Sequence, residues 1–224
     1  ANLIIVVRFL ATRRSGYTRE EILASTGIKD GGGATNILRG LTASDFITAY
    51  QPFGQSKRIH YRLCDHFCMF YLHFLDKVAK PEEHFWQNNY TSSKISSWRG
   101  CAFEEVCFNH IPQIKEALGI SGISTKEYSL IARDAKGKPL SQMDLIMERT
   151  DNIVNLCEIK FYGTAFVIDK KYDATLRERM QILISHISPK QTVKLTAITT
   201  FGIKRNEYSG QVQSSITMDD LFKD

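Results

Sequence analysis

The stretch QMDLIMERTDNIVNLCEIKF, residues 142–161, has the pattern of two apolar strands joined by a polar turn. Charge nevertheless occurs inside both apolar runs, as Asp144 in the first and as Glu158 and Lys160 in the second. The other residues are apolar on both faces of each strand, which is typical of strands covered by helices on either side. The sequence therefore predicts that three charged groups occupy a region from which most water is excluded.

A short turn sets the register of this hairpin. If residues 150–152 form a three-residue turn with Asn152 in the left-handed conformation, Asp144 falls opposite Glu158 on the neighbouring strand. Residues directly opposite one another have Cβ atoms about 5 Å apart, and Lys160, two residues after Glu158, lies on the same face. We therefore expect two carboxylates and one ammonium group to converge.

Two carboxylates in such a place are costly unless a cation compensates them. Lys160 supplies one positive charge, and a divalent metal would supply two. Mg²⁺ and Mn²⁺ are hard cations that bind oxygen ligands, so the pattern indicates a metal site built on Asp144 and Glu158. The alternative is a structural ion pair, in which Lys160 alone offsets one carboxylate and no metal binds.

The segments around this hairpin predict the rest of a domain. A helix is expected around residues 103–110, three strands within residues 126–161, a helix over residues 173–187 and a buried strand over residues 192–203. The order is helix, three strands, helix, strand, which suits an α+β or α/β fold with a mixed sheet flanked by helices. The inner face of the second helix is expected to carry Leu176, Met180, Leu183, Ile184 and Ile187.

Asp144, thirteen further residues and then Glu158-Ile159-Lys160 resemble the Asp…Glu-x-Lys signature of the PD-(D/E)xK nuclease superfamily. The resemblance implies a restriction-endonuclease-like αβββαβ domain that hydrolyses DNA phosphodiester bonds with Mg²⁺ or Mn²⁺. It implies that Asp144 and Glu158 bind the metal and that Lys160 is catalytic. Glu104, on the preceding helix, corresponds to a further acidic metal ligand that assists catalysis.

The positive charge of the chain is concentrated near its start. Residues 1–64 contain nine Lys and Arg against four Asp and Glu, an excess of five that equals the net charge of the whole chain, +5. The remaining residues therefore balance at zero. A basic small domain is a candidate for binding nucleic acid. We expect residues 1–75 to supply most of the affinity for duplex DNA.

The same region has the pattern of helices followed by a hairpin. An apolar helix begins the chain, a second helix has a capping box at Thr18 and Glu21 and ends at Gly27, and a third follows the glycines at 31–33. Two short strands then flank a turn that contains Pro52. This order resembles a winged helix-turn-helix.

In winged helices the third helix commonly enters the DNA major groove. The resemblance implies that Thr35, Asn36 and Arg39 face DNA from this helix, and that Lys57 and Arg58 contact phosphates from the wing. The alternative is a winged helix that docks a protein rather than DNA.

The whole arrangement resembles the C-terminal half of prokaryotic AAA-type ATPases, in which a winged helix precedes a nuclease-like domain. It predicts a winged-helix domain over 1–75, a helical linker over 76–98 and a nuclease-like domain over 99–224. The ATPase domain is absent from this segment, which has no phosphate-binding loop and begins with Ala. The resemblance also allows a homo-oligomer. The alternative function is a non-catalytic DNA-binding, regulatory or docking module of the ATPase.

No apolar run approaches the roughly 18 residues that a membrane-spanning helix needs. The start of the chain also lacks the pattern of a cleavable leader. We therefore expect a cytoplasmic protein with no membrane partner. Five cysteines form no regular framework, so buried free thiols are predicted.

Overall fold

A computed structural model describes residues 2–54, 58–76, 78, 82–133, 136 and 139–223, except for the side chains of Arg133 and Pro139. The chain forms two compact units, Ala1–Tyr90 and Thr91–Asp224, each with its own hydrophobic core. The division falls inside the segment that was predicted as a linker, residues 76–98. That segment therefore contributes its first part to one unit and its last part to the other.

The first unit contains helices and a small antiparallel sheet with strand order β1-β3-β2. Its helices are α1 (Asn2–Leu10), α2 (Arg19–Thr26), α3 (Gly32–Ala43), α4 (His66–Phe70), a π-helical turn (Tyr71–Leu75) and α5 (Phe85–Asn89). Its strands are β1 (Tyr17–Thr18), β2 (Ile47–Tyr50) and β3 (His60–Leu63).

Local signals place the ends of α2 as predicted. The Thr18 side chain accepts a hydrogen bond from the Glu21 amide and the Glu21 carboxylate accepts one from the Thr18 amide, so the capping box forms. Gly27 ends the helix with φ 69°, a left-handed conformation that glycine adopts without a steric penalty. The predicted hairpin is β2 and β3, which pair antiparallel, whereas β1 was not predicted.

The core of the first unit lies between α1, α2, α3 and the sheet. Its buried residues are Val6, Leu10, Ile22, Leu38, Leu41, Ile47 and Leu63. Asp65 caps α4 by accepting a hydrogen bond from the Cys68 amide. The aromatic residues of this segment are only partly buried, since Phe74 is buried but Phe67 is 70% exposed. The switch from α-helix to π-helix changes the spacing of these side chains around the helix axis.

The second unit is a mixed α and β structure with a five-stranded sheet flanked by helices. Its helices are α6 (Ser93–Asn109), α7 (Ile111–Ala117), α8 (Lys170–Ile184) and α9 (Met218–Leu221). Its strands are β4 (Thr125–Arg133), β5 (Pro139–Arg149), β6 (Ile153–Lys160), β7 (Phe166–Val167), β8 (Thr192–Thr199), β9 (Ile203–Lys204) and β10 (Ser214–Thr217). A 3₁₀ turn covers Ser209–Gln211.

The sheet has the strand order β10-β8-β6-β5-β4. Strands β4, β5 and β6 pair antiparallel, whereas β6, β8 and β10 pair parallel, so the mixed sheet is confirmed. The predicted helix around residues 103–110 begins earlier, at Ser93, because the Ser92 side chain caps the Ile95 amide. Strand β10 was not predicted.

The inner face of α8 differs from the prediction. Leu176 and Leu183 are buried as expected, but Ile184 is 46% exposed. Asp173 is buried instead, where its carboxylate pairs with Arg177. All five cysteines are free thiols, as predicted, but only Cys107 and Cys157 are buried. In the described part of the chain, no helix combines the length and apolar character needed to cross a membrane.

Candidate active site

The turn between β5 and β6 has the predicted conformation. Asn152 has φ 64°, which lies in the left-handed region that Asn tolerates better than most residues. The strands then pair in the predicted register, from Glu148 opposite Val154 to Leu145 opposite Cys157. Continuing this register by one residue would place Asp144 opposite Glu158.

The ladder stops one residue before that pair, because β5 is irregular at Asp144. Pairing between β4 and β5 shifts from Tyr128 opposite Ile146 to Leu130 opposite Met143, so that Asp144 lies in a β-bulge. Bulges redirect side chains and often lie beside active sites. A directly opposed Asp144–Glu158 pair is therefore not formed as predicted.

Lys160 nevertheless connects the two carboxylates. Its Nζ lies 2.6 Å from Glu158 Oε1 and 4.0 Å from Asp144 Oδ2. Both carboxylates are largely removed from water, since the side chains of Glu158 and Asp144 are 4% and 9% exposed. Lys160 Nζ also donates to the carbonyl of Ile159 at 3.1 Å. The predicted convergence of three charged groups is therefore confirmed.

Two side chains of α8 join the cluster, and neither was predicted. Tyr172 donates its hydroxyl hydrogen to Glu158 Oε1, and Arg179 Nη1 donates to Glu158 Oε2. Tyr172 and Arg179 lie seven positions apart, so they occupy the same helical stripe as the buried Leu176 and Leu183. That spacing is the sequence signal that could have identified them.

The two carboxylates have opposite electrostatic environments. Burial would raise the pKa of Glu158, but Lys160 and Arg179 together hold that pKa below its ordinary value. Burial, followed by the charges of Glu104 and Glu158, raises the pKa of Asp144 from 3.8 to about 7. Asp144 is therefore the carboxylate that the neighbouring cations compensate least.

Glu104 lies on α6 and is half-buried. After burial, its charge is the largest cause of the raised pKa of Asp144, which indicates that the two carboxylates lie near each other. Among the described residues, no group of three or more His, Cys, Asp and Glu has the spacing of a metal site. A site here would need ligands besides these side chains.

Oxygen lone pairs show what the cluster could still bind. Glu158 Oε1 accepts from Tyr172 and Lys160, which uses both of its lone pairs, while among the described residues Oε2 accepts from Arg179 alone. Among the described residues, the polar contacts of Asp144 are long: Gln142 Nε2 lies 3.4 Å from Oδ1 and Lys160 Nζ lies 4.0 Å from Oδ2. One oxygen of Glu158 and both oxygens of Asp144 therefore retain the capacity to bind a cation. This donor set fits Mg²⁺, which usually binds one or two carboxylates and completes its shell with waters and substrate phosphate.

The predicted DNA-contacting residues of the first unit lie on its surface. Thr35, Asn36 and Arg39 are exposed on α3, where Asn36 Oδ1 accepts a hydrogen bond from Arg39 Nη2 at 2.9 Å. Arg58 is exposed ahead of β3, and Lys57 falls outside the described residues. Contact between these residues and DNA stays a prediction.

Comparison with protein-family models and with curated proteins finds no match. Among solved structures, the chain is similar to one described as "Crystal Structure of Protein of Unknown Function AF1548", with 15% sequence identity and a TM-score of 0.34. The similarity covers 52% of this chain and 64% of that chain, less than two thirds of its length. A likeness at this level carries no argument about function.

Proposed function

We propose that the second unit is a nuclease-like domain of the PD-(D/E)xK type that hydrolyses DNA phosphodiester bonds with Mg²⁺ or Mn²⁺. The observation that carries the proposal is the convergence of Asp144, Glu158 and Lys160 at one buried site, where Lys160 Nζ lies 2.6 Å from one carboxylate and 4.0 Å from the other. These residue types match the superfamily signature in number, order and position on the hairpin.

The charge balance of the site favours a metal together with a phosphate. With Asp144, Glu158 and Glu104 ionised and with Lys160 and Arg179 protonated, the five groups carry a net charge of −1. A bound Mg²⁺ would bring the site to +1, and one phosphodiester group would bring it to zero. A buried site is most favourable when its charges are compensated. The cluster is thus electrostatically suited to a metal and one phosphodiester, rather than to a metal alone.

Asp144, the remaining acceptor of Glu158 and the carbonyl of Ile159 would hold the metal, with Glu104 binding directly or through water. When bound, Mg²⁺ supplies Lewis-acid stabilisation of charge on the phosphate oxygens and lowers the pKa of water. Lys160, which already lies between the carboxylates, would orient the attacking water and offset charge on the phosphate.

Arg179 and Tyr172 would fix the catalytic carboxylate. Their hydrogen bonds reach both oxygens of Glu158 and so restrict its rotation. Arg179 Nε is buried and has no hydrogen-bond partner among the described residues. A buried donor without a partner is costly. A phosphate oxygen would satisfy this donor, so Arg179 is a candidate for binding the substrate as well as for orienting Glu158.

The first unit is proposed to be a winged helix that brings duplex DNA to the site. Support comes from its order of helices and hairpin, from its excess positive charge, and from the exposed Asn36 and Arg39 on α3. An ATPase domain of the AAA type would be the partner of this segment within a longer chain.

A plasmid assay tests the proposal. Purified protein is incubated with supercoiled plasmid and Mg²⁺ or Mn²⁺, and nicked and linear products are measured over time. Cutting should require the metal and should be lost in Asp144→Ala and in Lys160→Ala. Asp151→Ala, which removes a carboxylate at the opposite end of the same hairpin, should cut like the wild type. Cutting that survives Asp144→Ala or Lys160→Ala would refute the assignment.

A second candidate is a non-catalytic DNA-binding or docking module of an ATPase. Its support is that Tyr172, Lys160 and Arg179 already contact both oxygens of Glu158, as in a structural ion cluster. This candidate predicts that no metal binds and that no DNA is cut. Titration with Mn²⁺ separates the two candidates.

A further inference from the structure

The loops that follow β6 and β8 lie together at one edge of the sheet. These strands are parallel and pair up to Lys160 opposite Thr199, so both end at the same edge. Beyond them, the Thr200 amide donates to the Lys160 carbonyl at 3.3 Å and the Tyr162 amide donates to the Thr200 hydroxyl at 3.0 Å. Tyr162 therefore lies beside the residue that precedes Phe201, immediately next to the candidate active site.

Both aromatic residues are exposed, at 50% for Tyr162 and 58% for Phe201. Ring contacts link this exposed position to the catalytic cluster. Tyr162 lies 5.0 Å from Phe166, Phe166 lies 5.2 Å from Tyr172, and Tyr172 lies 5.6 Å from Lys160 Nζ. A planar group stacked on Tyr162 would thus be connected to Lys160 through three aromatic rings in contact, those of Tyr162, Phe166 and Tyr172.

Exposed basic residues lie in these loops or in the elements that directly follow them. Lys170 and Lys171 begin α8, and Lys204 and Arg205 lie in and just after β9, which pairs with β7. Within the described part of the chain, none of these four forms an ion pair. The N-cap Asp169 and the first-turn Asp173 already complement the dipole of α8 at this end, so Lys170 and Lys171 are not needed to stabilise the helix and are exposed to solvent.

We propose that these residues form a binding surface for single-stranded DNA, here called the edge surface. Unpaired bases would stack on Tyr162 and Phe201, and the four basic side chains would contact phosphates. Proteins that bind single strands combine aromatic platforms with a positive groove in this way. In a duplex, neighbouring base pairs cover the faces of the bases, so exposed rings recognise unpaired nucleotides.

The edge surface indicates a class of substrate, and this inference rests on the proposed function. The substrate would be DNA with unpaired nucleotides beside the scissile phosphate, such as a single strand or a branched junction. The second unit would then contribute DNA affinity of its own, in addition to the duplex affinity expected of the first unit.

Binding without cleavage tests the edge surface. Fluorescence anisotropy is measured with the full 224-residue chain, a labelled oligo-dT strand and excess EDTA, with a duplex of equal length as a second probe. Replacing Tyr162 and Phe201 by Leu should weaken oligo-dT binding by roughly 5- to 150-fold per ring. Duplex binding should not change. Tyr162→Phe combined with Phe201→Tyr keeps both rings and should retain wild-type affinity.

Charge variants give an independent readout. Lys204→Ala with Arg205→Ala should reduce the salt dependence of oligo-dT binding by about 1.4 in the slope of log K against log salt. The matched control, Lys190→Ala with Lys194→Ala, lies before and within the first half of β8, away from this edge, and should leave the slope unchanged.

The edge surface is refuted if wild-type protein does not bind oligo-dT or if the Leu variant binds it as tightly as the wild type. Circular dichroism establishes that each variant is folded, which is expected because the two rings are at least half-exposed. These results are independent of catalysis. Oligo-dT binding without plasmid cutting would refute the proposed hydrolysis alone, and cutting without ring-dependent binding would refute the edge surface alone.

Discussion

Replacing Asp144 with Asn should stabilise the second unit, and the gain should increase with pH. Burial and then the charges of Glu104 and Glu158 raise the pKa of Asp144 from 3.8 to about 7. Lys160 and Arg179 oppose this rise only in part. Ionisation of Asp144 therefore lowers the stability of the folded chain. Asn at this position avoids that loss because it does not ionise.

The sign of the effect follows from where the proton is held. Below about pH 4, Asp144 is protonated in both the folded and the unfolded chain, so its ionisation costs nothing. Between about pH 4 and 7 the folded chain keeps a proton that the unfolded chain releases, so stability falls as pH rises. The two pKa values differ by about three, and each difference of one corresponds to about 1.4 kcal/mol, so the full cost above pH 7 is about 4 kcal/mol.

Urea unfolding at pH 5, 6, 7 and 8 measures this cost. The two units need not unfold together, so a Trp86→Phe background leaves Trp98, on α6, as the fluorescent reporter of the second unit. The stability difference between Asp144→Asn and its parent should grow by about 3 kcal/mol from pH 5 to pH 8. A difference that stays constant over this range would mean that Asp144 is ionised throughout, and the electrostatic account of the site would be wrong.

Two further variants test the first unit and the support of the site. Lys57→Ala with Arg58→Ala should weaken binding to duplexes of all sequences alike and lower the slope of log K against log salt by roughly 1 to 2. If the double variant binds duplex DNA as tightly as the wild type at both 50 and 200 mM salt, Lys57 and Arg58 do not contact DNA. Arg179→Met should destabilise the second unit by about 1–3 kcal/mol in urea unfolding, because Glu158 stays buried without that partner. The control Arg205→Met removes an exposed side chain that forms no ion pair within the described part of the chain, and it should change stability by under about 0.5 kcal/mol; equal effects of the two variants would contradict the role of Arg179.

Local sequence signals were sufficient to predict the β5–β6 hairpin and its register. Asn152 tolerates the left-handed conformation, and the length of the turn then fixes which residues of β5 and β6 pair. The bulge at Asp144 was not predicted, because it arises from the register between β5 and β4, which the turn of the β5–β6 hairpin does not determine. Register therefore follows from the turn, whereas the direction of one side chain depends on a third strand.

The contribution of α8 to the site was missed for a different reason. The prediction assigned the inner face of this helix from its apolar residues and so included Ile184, which is exposed. The helix instead directs Tyr172 and Arg179 toward Glu158. A buried carboxylate without hydrogen-bond donors or a cation would destabilise the fold more than the loss of one apolar contact. Which residues of a helix face inward depends on the surface that the helix packs against, and here the sheet carries the charged side chain of Glu158.

Calorimetric titration with Mn²⁺ tests most directly the claim that this cluster is a metal site rather than a structural ion cluster. The wild-type chain should give saturable heat with an affinity in the millimolar range or tighter. Asp144→Asn and Glu158→Ala should each abolish that binding, while Asp151→Asn, at the other end of the hairpin, should retain it. Absence of saturable binding by the wild type, or unchanged binding by Asp144→Asn, would contradict the proposal.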